Sequence, residues 1–241
     1  MTIEQQKELW YKFHRFIKRY EAIYAPKFNA GLKEQINQYI ELGTVTAIDA
    51  SPLYPILVDL YGTVGYQWAH KSDVHRRTLK SRQPMGFSER IVELMRQYYG
   101  IDLLNDAEGL TQTTREQIQR VLSQAAELGW SFDEIVKKLQ SPDLTKARSC
   151  LIARTETVTA ANGAAYINAK ETGLKLNKIW IAAYDHRTRR DHREINQHVV
   201  AMDEFFNVGG SAMLAPGDRS NGAGADQICN CRCCVAFLPI N

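Results

Sequence analysis

The stretch "KARSCLIARTETVTAANGAAYINAKETG", Lys146 to Gly173, constrains the fold more than any other. It reads as one long helix over about Lys146 to Lys170, stopped by Gly173. Alanine and threonine dominate it, so neighbouring backbone can approach closely. Beyond Gly173 the texture changes. "KIWIAAY" (Lys178 to Tyr184) is an apolar run with the length of a buried strand. "VVAM", "FFNVGGSAML" and "CCVAFL" read as further strands, and Gly209-Gly210 supplies a hairpin turn. A long helix followed by short strands and tight turns predicts a C-terminal domain in which the helix packs on a small, mostly antiparallel sheet. With a mostly helical N-terminal half, the fold class is α+β.

The N-terminal half is helical by periodicity. Trp10, Phe13, Ile17, Tyr20 and Tyr24 recur at steps of three and four between Gln5 and Asn37, which puts them on one face. Such a stripe needs a cover, from the chain's own helices, from another copy or from a partner. Pro26 is expected to kink or break this segment, with a second helix over Gly31 to Leu42. The middle of Thr44 to His70 reads as helical and "SRQPMGF" (Ser81 to Phe87) as a loop. Ser88 is expected to cap a helix carrying Ile91, Leu94, Met95 and Tyr98 and ended by Gly100. Two capping boxes follow, Thr113 with Glu116 and Ser131 with Glu134, and "SPDLT" at Ser141 breaks the run again. The expected organisation is an N-terminal helical region over 1–108 and a second domain over 109–241.

The 241 residues suffice for a sizeable core, and 44% hydrophobic with 24% charged residues is an ordinary globular balance. A formal net charge of +3 permits contact with nucleic acid without arguing for it. No stretch has the length and apolarity of a membrane span, and the N-terminus lacks a basic-then-apolar signal pattern. The expected compartment is a cytoplasm, where thiols stay reduced, so a disulfide framework is not expected from the five cysteines.

Two stretches near the C-terminus carry the chemistry. "DHRTRRDHREINQHVV" gathers Arg187, Arg189, Arg190 and Arg193 among His186, His192 and His198. These arginines suit phosphate contacts of the kind nucleic acid offers, or a solvated helix face paired locally with Asp191 and Glu194. Asp185 is placed to cap the short helix beginning near Thr188. "ICNCRCC" holds four cysteines. Cys229, Cys231 and Cys233 alternate, so on a strand they share one face, and with His192 they offer zinc sulfur and nitrogen ligands. The usual C-x-x-C knuckle is missing, and small thiols packed behind the sheet are the other reading. Glu156, Asp185 and His192 can be combined as an acid–base set, but nothing in their spacing requires it. The alternative is that Arg154 and Glu156 form a polar network with the Asp185 loop, tying helix to sheet. No glycine-rich phosphate loop and no G-x-S-x-G elbow is present.

In order, the chain reads "REQIQRVLSQAAELGWSFDEIVKKL", "ARSCLIARTETVTAANGAA", "WIAAYDHRTRRDH", "FFNVGGSAMLAPGD" and "CNCRC". This resembles the head morphogenesis, or Mu F-like, minor head proteins of tailed bacteriophages, from about Leu110 to Phe237. The motif residues are Arg154, Thr155, Glu156 and Asn162; Asp185, Arg187, Thr188, Arg189 and His192; Pro216, Gly217 and Asp218; and Asn230, Cys231, Arg232 and Cys233. The family's usual glycine after the histidine helix is missing from Ile195-Asn196-Gln197, and Cys229 and Cys234 are additions. The resemblance implies a structural, non-enzymatic virion component, made in the host cytoplasm and held inside the head near the portal. Its implied partners are the portal protein, other head proteins and packaged double-stranded DNA, with roles in head assembly and in DNA packaging or ejection and no required cofactor. The rival is a zinc-dependent enzyme acting on nucleic acid through His192, Cys229, Cys231 and Cys233.

Overall fold

The computed structural model describes residues 1–71 and 87–240. In chain order it comprises α1 (Ile3–Leu42), a short 3-10 turn (Val45–Ala47), α2 (Tyr54–Lys71), α3 (Phe87–Leu128), α4 (Phe132–Leu139), α5 (Pro142–Glu171), β1 (Leu176–Ile181), α6 (Arg190–Glu194), β2 (Val199–Ala201), β3 (Phe206–Val208), β4 (Ser211–Met213), α7 (Ala225–Ile228) and β5 (Cys234–Pro239). This is the α+β arrangement the sequence implies. Among the described residues, no helix is long and apolar enough to cross a membrane.

Several boundaries differ from the local signals. Pro26 lies inside α1 and neither ends it nor separates it from Gly31 to Leu42. The buried face runs on either side of it, through Tyr24, Phe28, Leu32 and Ile36. Burial of that face outweighs the roughly 3 kcal/mol that a proline costs inside a helix. α3 likewise passes through Gly100 and through the expected Thr113/Glu116 capping box. Thr113 is no cap: its hydroxyl donates to the Gly109 carbonyl one turn back, 3.1 Å away. Leu103, Ala107, Thr111, Thr114 and Ile118 keep one face buried across the expected break. The second box is real. Ser131 Oγ accepts from the Glu134 amide, and the Glu134 carboxylate accepts from the Ser131 amide at 2.7 Å. The loop expected at Ser81 and the side chains of Ser88, Ile91 and Tyr98 lie outside the described residues.

The chain forms two compact units, each discontinuous in sequence. The expected boundary between residues 108 and 109 falls within α3. One unit comprises Ala22–Asp59 and Tyr98–Ala153. Its core joins Ile36, Tyr39, Ile48, Ile118, Val121 and Leu139. Gln35, fully buried, donates to the Asp49 carbonyl and to Thr111 Oγ1 and accepts from Thr114 Oγ1. Arg148 donates to Thr114 and to the Leu110 carbonyl, and burial pushes its guanidinium down to about 10.

The other unit comprises Met1–Glu21, Leu60–Gln97 and Arg154–Asn241. Its sheet has the order β2-β1-β5, antiparallel throughout, and β3-β4 forms a separate hairpin. Gly209 and Gly210 turn that hairpin at φ +55° and +89°, the paired left-handed geometry of a tight two-residue loop. The N-terminal aromatic stripe is covered within the chain. Phe13 and Phe16 pack on Trp68, Trp10 packs on Tyr184, and the Trp10 indole donates to the Arg232 carbonyl at 3.0 Å.

Gln197 occupies the position where the resemblance calls for glycine, and its φ is +68°. The turn keeps the glycine geometry without the glycine, because the Gln197 amide donates to the Trp180 carbonyl at 2.8 Å and locks the backbone. A side chain in this region costs about 1–2 kcal/mol, partly offset by the greater freedom glycine has when unfolded. Gln197→Gly is therefore expected to raise stability by up to about 1 kcal/mol. A urea titration reads the change directly, and a lower midpoint for the glycine variant would refute strain at this turn.

Candidate functional site

α5 presents a row of polar side chains to the chain segment leading into β5. Asn162, fully buried, donates from Nδ2 to the Cys233 carbonyl (3.1 Å) and accepts from the Val235 amide at Oδ1 (3.0 Å). One amide side chain thus replaces a strand's hydrogen bonds at the start of β5. Thr155 Oγ1 accepts from the Asn230 amide at 3.2 Å. Asn230 sits at φ +58°, which asparagine tolerates better than most residues, and it turns the chain between α7 and β5. Gly217 lies against the same helix at φ +90°. A Cβ there would come within 2.6 Å of Thr159 Oγ1 and 2.9 Å of Thr159 Cα, so only glycine fits.

Three ion pairs surround this seam. Arg154 chelates Glu21 of α1 and donates to Asn230 Oδ1 at 2.7 Å. Glu156 accepts from Arg219 at 3.1 Å and from the Tyr61 hydroxyl at 2.8 Å. Asp185 takes a bidentate pair from Arg232, at 2.9 and 3.0 Å, and also accepts from the Arg187 amide and the Thr188 hydroxyl. Burial alone would raise the Asp185 and Glu21 carboxyls, but the bonds from Arg232 and Arg154 prevail and hold both below the ordinary range. Arg154 reaches the Asp185 loop through Asn230, whose carbonyl accepts from Arg232, whereas Glu156 pairs with Arg219 and Tyr61. Asp185 caps the turn at Arg187 and Thr188 instead of α6, whose N-cap is Arg189.

Glu21, Tyr61, Arg219, Trp10 and Gln227 were not among the sequence candidates. Glu21 left a signal: it stands one turn beyond Ile17, on the apolar stripe of α1, where an acid needs a buried partner.

The four arginines of the expected nucleic-acid patch differ in their roles. Arg187, Arg190 and Arg193 are exposed and Arg189 is half-buried. Arg189 donates to the Cys229 carbonyl, Arg193 to the Thr188 carbonyl at 2.7 Å, and Arg190 pairs with Glu194 at 2.7 Å.

His192 is buried on α6 with its ring edge-on to Trp180. Its Nδ1 lies 3.4 Å from Cys233 Sγ and 3.7 Å from Cys231 Sγ, and its Nε2 lies 3.1 Å from Gln227 Oε1. These three residues are the one group of histidine, cysteine and carboxylate side chains among the described residues whose ligand atoms converge, all within 4.8 Å. Cys229 stands apart from it as the C-cap of α7, and the expected strand begins only at Cys234. The two thiols titrate very differently. The Cys233 bond and the facing imidazole bring Cys231 down against the cost of burial, whereas burial and the neighbouring Cys231 drive Cys233 up. Glu156, Asp185 and His192 each engage different partners, so they make no shared acid–base set.

Residues 116–236, 121 of the 241, match the family described as Phage Mu protein F like protein. The chain belongs to this family. The Mu F-like region takes in the last turns of α3, both following helices and the whole sheet up to β5. The chain is also similar to the minor head protein GP7 of Bacillus phage SPP1, with 26% identity over 69% of this chain and 50% of that protein. A second relative is an NAD(+)–arginine ADP-ribosyltransferase named EFV from Enterococcus faecalis, 36% identical over 44% of this chain and 22% of the enzyme. A third is the uncharacterized protein YqbB of Bacillus subtilis, 25% identical over 54% of this chain and 44% of that protein. The chain thus spans half or less of the length of the curated relatives it matches. No solved structure matches it.

Proposed function

We propose that this Mu F-like chain is a structural minor head component of a tailed phage, bound to the portal inside the head and acting in head assembly. The observation that carries the reading is how the motif residues are used. Arg154, Thr155, Glu156, Asn162, Asp185, Thr188, Arg189, Asn230 and Arg232 all bond within the fold. Motif residues consumed in this way specify a shape to be presented to other proteins. The similarity to a minor head protein supports the head, and the family resemblance supports the portal as the docking partner. Exposed Arg187, Arg190 and Arg193 are the side chains suited to packaged DNA or to an acidic portal surface.

Co-expression of the full chain with its cognate portal protein tests the proposal. The chain is expected to elute with the portal oligomer on size exclusion and to be found in purified heads. Elution apart from the portal, together with heads that lack the chain, would overturn it. The similarity to an arginine ADP-ribosyltransferase favours one second reading, an enzyme using NAD(+). Incubating the chain with labelled NAD(+) and an arginine-containing acceptor is expected to transfer no label, and transfer would make the enzymatic reading the better one.

A further inference from the structure

We propose that His192, Cys231 and Cys233 bind one zinc ion, through Nδ1 of the histidine and the two sulfurs. Nothing in the portal reading requires such an ion, and the proposal holds whether or not that reading does.

The argument begins at two carboxylates. Gln227 Nε2 lies 3.0 Å from Asp191 Oδ2 and 3.2 Å from Asp226 Oδ2. Ionised carboxylates only accept, so the nitrogen of that amide faces them, and Oε1 faces the other way, toward His192 Nε2 at 3.1 Å. An amide oxygen only accepts as well, so Nε2 of His192 carries the proton. In the neutral imidazole that leaves the lone pair on Nδ1, which lies within 3.7 Å of both sulfurs. A chain of hydrogen bonds that fixes the tautomer of a buried histidine from behind is the usual support of a metal-ligating imidazole.

Distances agree. With Zn–N near 2.05 Å and Zn–S near 2.3 Å, a tetrahedral ion places its nitrogen and sulfur ligands about 3.6 Å apart. The two observed nitrogen–sulfur separations, 3.4 and 3.7 Å, bracket that edge. A thiol–imidazole hydrogen bond needs only one sulfur close to Nδ1, whereas here both are. The donor types select the metal. Two thiolates and one imidazole are soft-to-borderline ligands, suited to zinc and unsuited to magnesium or calcium. Three protein ligands leave one of zinc's four positions to a solvent-derived ligand. The ion would tie α6, just after β1, to the segment entering β5.

Metal analysis of the full chain, purified without chelator under reducing conditions, is the test. Stoichiometric zinc is expected in the natural sequence and in Cys229→Ser, and its loss in Cys231→Ser and in Cys233→Ser. Should those variants fail to fold, cobalt titration of the zinc-stripped natural chain replaces them. It is expected to give thiolate-to-cobalt charge transfer and the intense visible bands of a tetrahedral ion. Folded protein with no zinc and no such bands, or zinc that is lost from Cys229→Ser instead, would overturn the proposal.

Discussion

Asp185→Ala is expected to destabilise the chain by about 3–5 kcal/mol, because it strands a guanidinium. Arg232 is only 9% exposed, and the Asp185 carboxylate is its bidentate partner. Removal of the acid leaves the arginine without its counter-charge and the Arg187 amide without its side-chain acceptor, while the Thr188 hydroxyl keeps its bond to the Ala183 carbonyl. Asp185→Asn should cost less, since the amide can still accept from the turn. The pair also predicts a pH response. The folded carboxyl lies below its ordinary value, so its contribution is fully present above about pH 4 and is lost as the pH falls through the folded pKa. Urea midpoints taken at neutral pH and stepwise into acid will test both statements. Equal midpoints for the natural chain and Asp185→Ala would show that the pair adds nothing, and an acid limb unchanged in the variant would place the pH response elsewhere.

Lys178→Met should act in the opposite direction, raising stability by about 1–3 kcal/mol. Lys178 is fully buried on β1, and its ammonium has no hydrogen-bond partner among the described residues. It lies over the rings of Tyr166 and Phe206, 5.0 and 5.3 Å from their centroids. Burial pushes its pKa down to about 8 from the ordinary 10.5. The unfolded chain therefore binds more protons than the folded chain between those values. Stability should rise as the pH climbs from about 8 toward 10.5, and below that window the cost of the buried charge is carried in full. Methionine has nearly the same length and no charge, so the variant should be more stable at neutral pH and lose the alkaline rise. A lower melting temperature for Lys178→Met at neutral pH would mean that the two rings repay the ammonium's desolvation.

Local chemistry made some of the fold legible. α5, the Ser131 capping box and the Gly209-Gly210 hairpin are written in a few adjacent residues, and each formed as those residues imply. Pro26, Gly100 and the Thr113/Glu116 pair are equally local signals, worth about 1–3 kcal/mol apiece, and none of them ends or starts a helix. They lie on helices whose buried faces are completed by residues far away in sequence. The site divides in the same way. Arg154, Glu156, Asp185 and Arg232 stood out as motif residues, but Glu21 is 133 positions from Arg154 and Tyr61 is 95 from Glu156. Nothing in either neighbourhood names such a partner. The alternation of Cys229, Cys231 and Cys233 suggested one strand face. The left-handed backbone at Asn230 turned the chain first and left Cys229 out of the group.

The unit that carries the sheet is stitched from three separate stretches of sequence, the first of them Met1–Glu21. On a ribosome that opening stretch emerges well before its partners in the third stretch. Trp10 waits for Arg232, 222 residues later, and Glu21 waits for Arg154. At about 5–20 residues per second, the Trp10 end of the aromatic stripe spends some ten seconds or more without its native cover. During translation it is a surface that another chain can claim, and a helper that shields it would act on the nascent protein and be released once β5 is made.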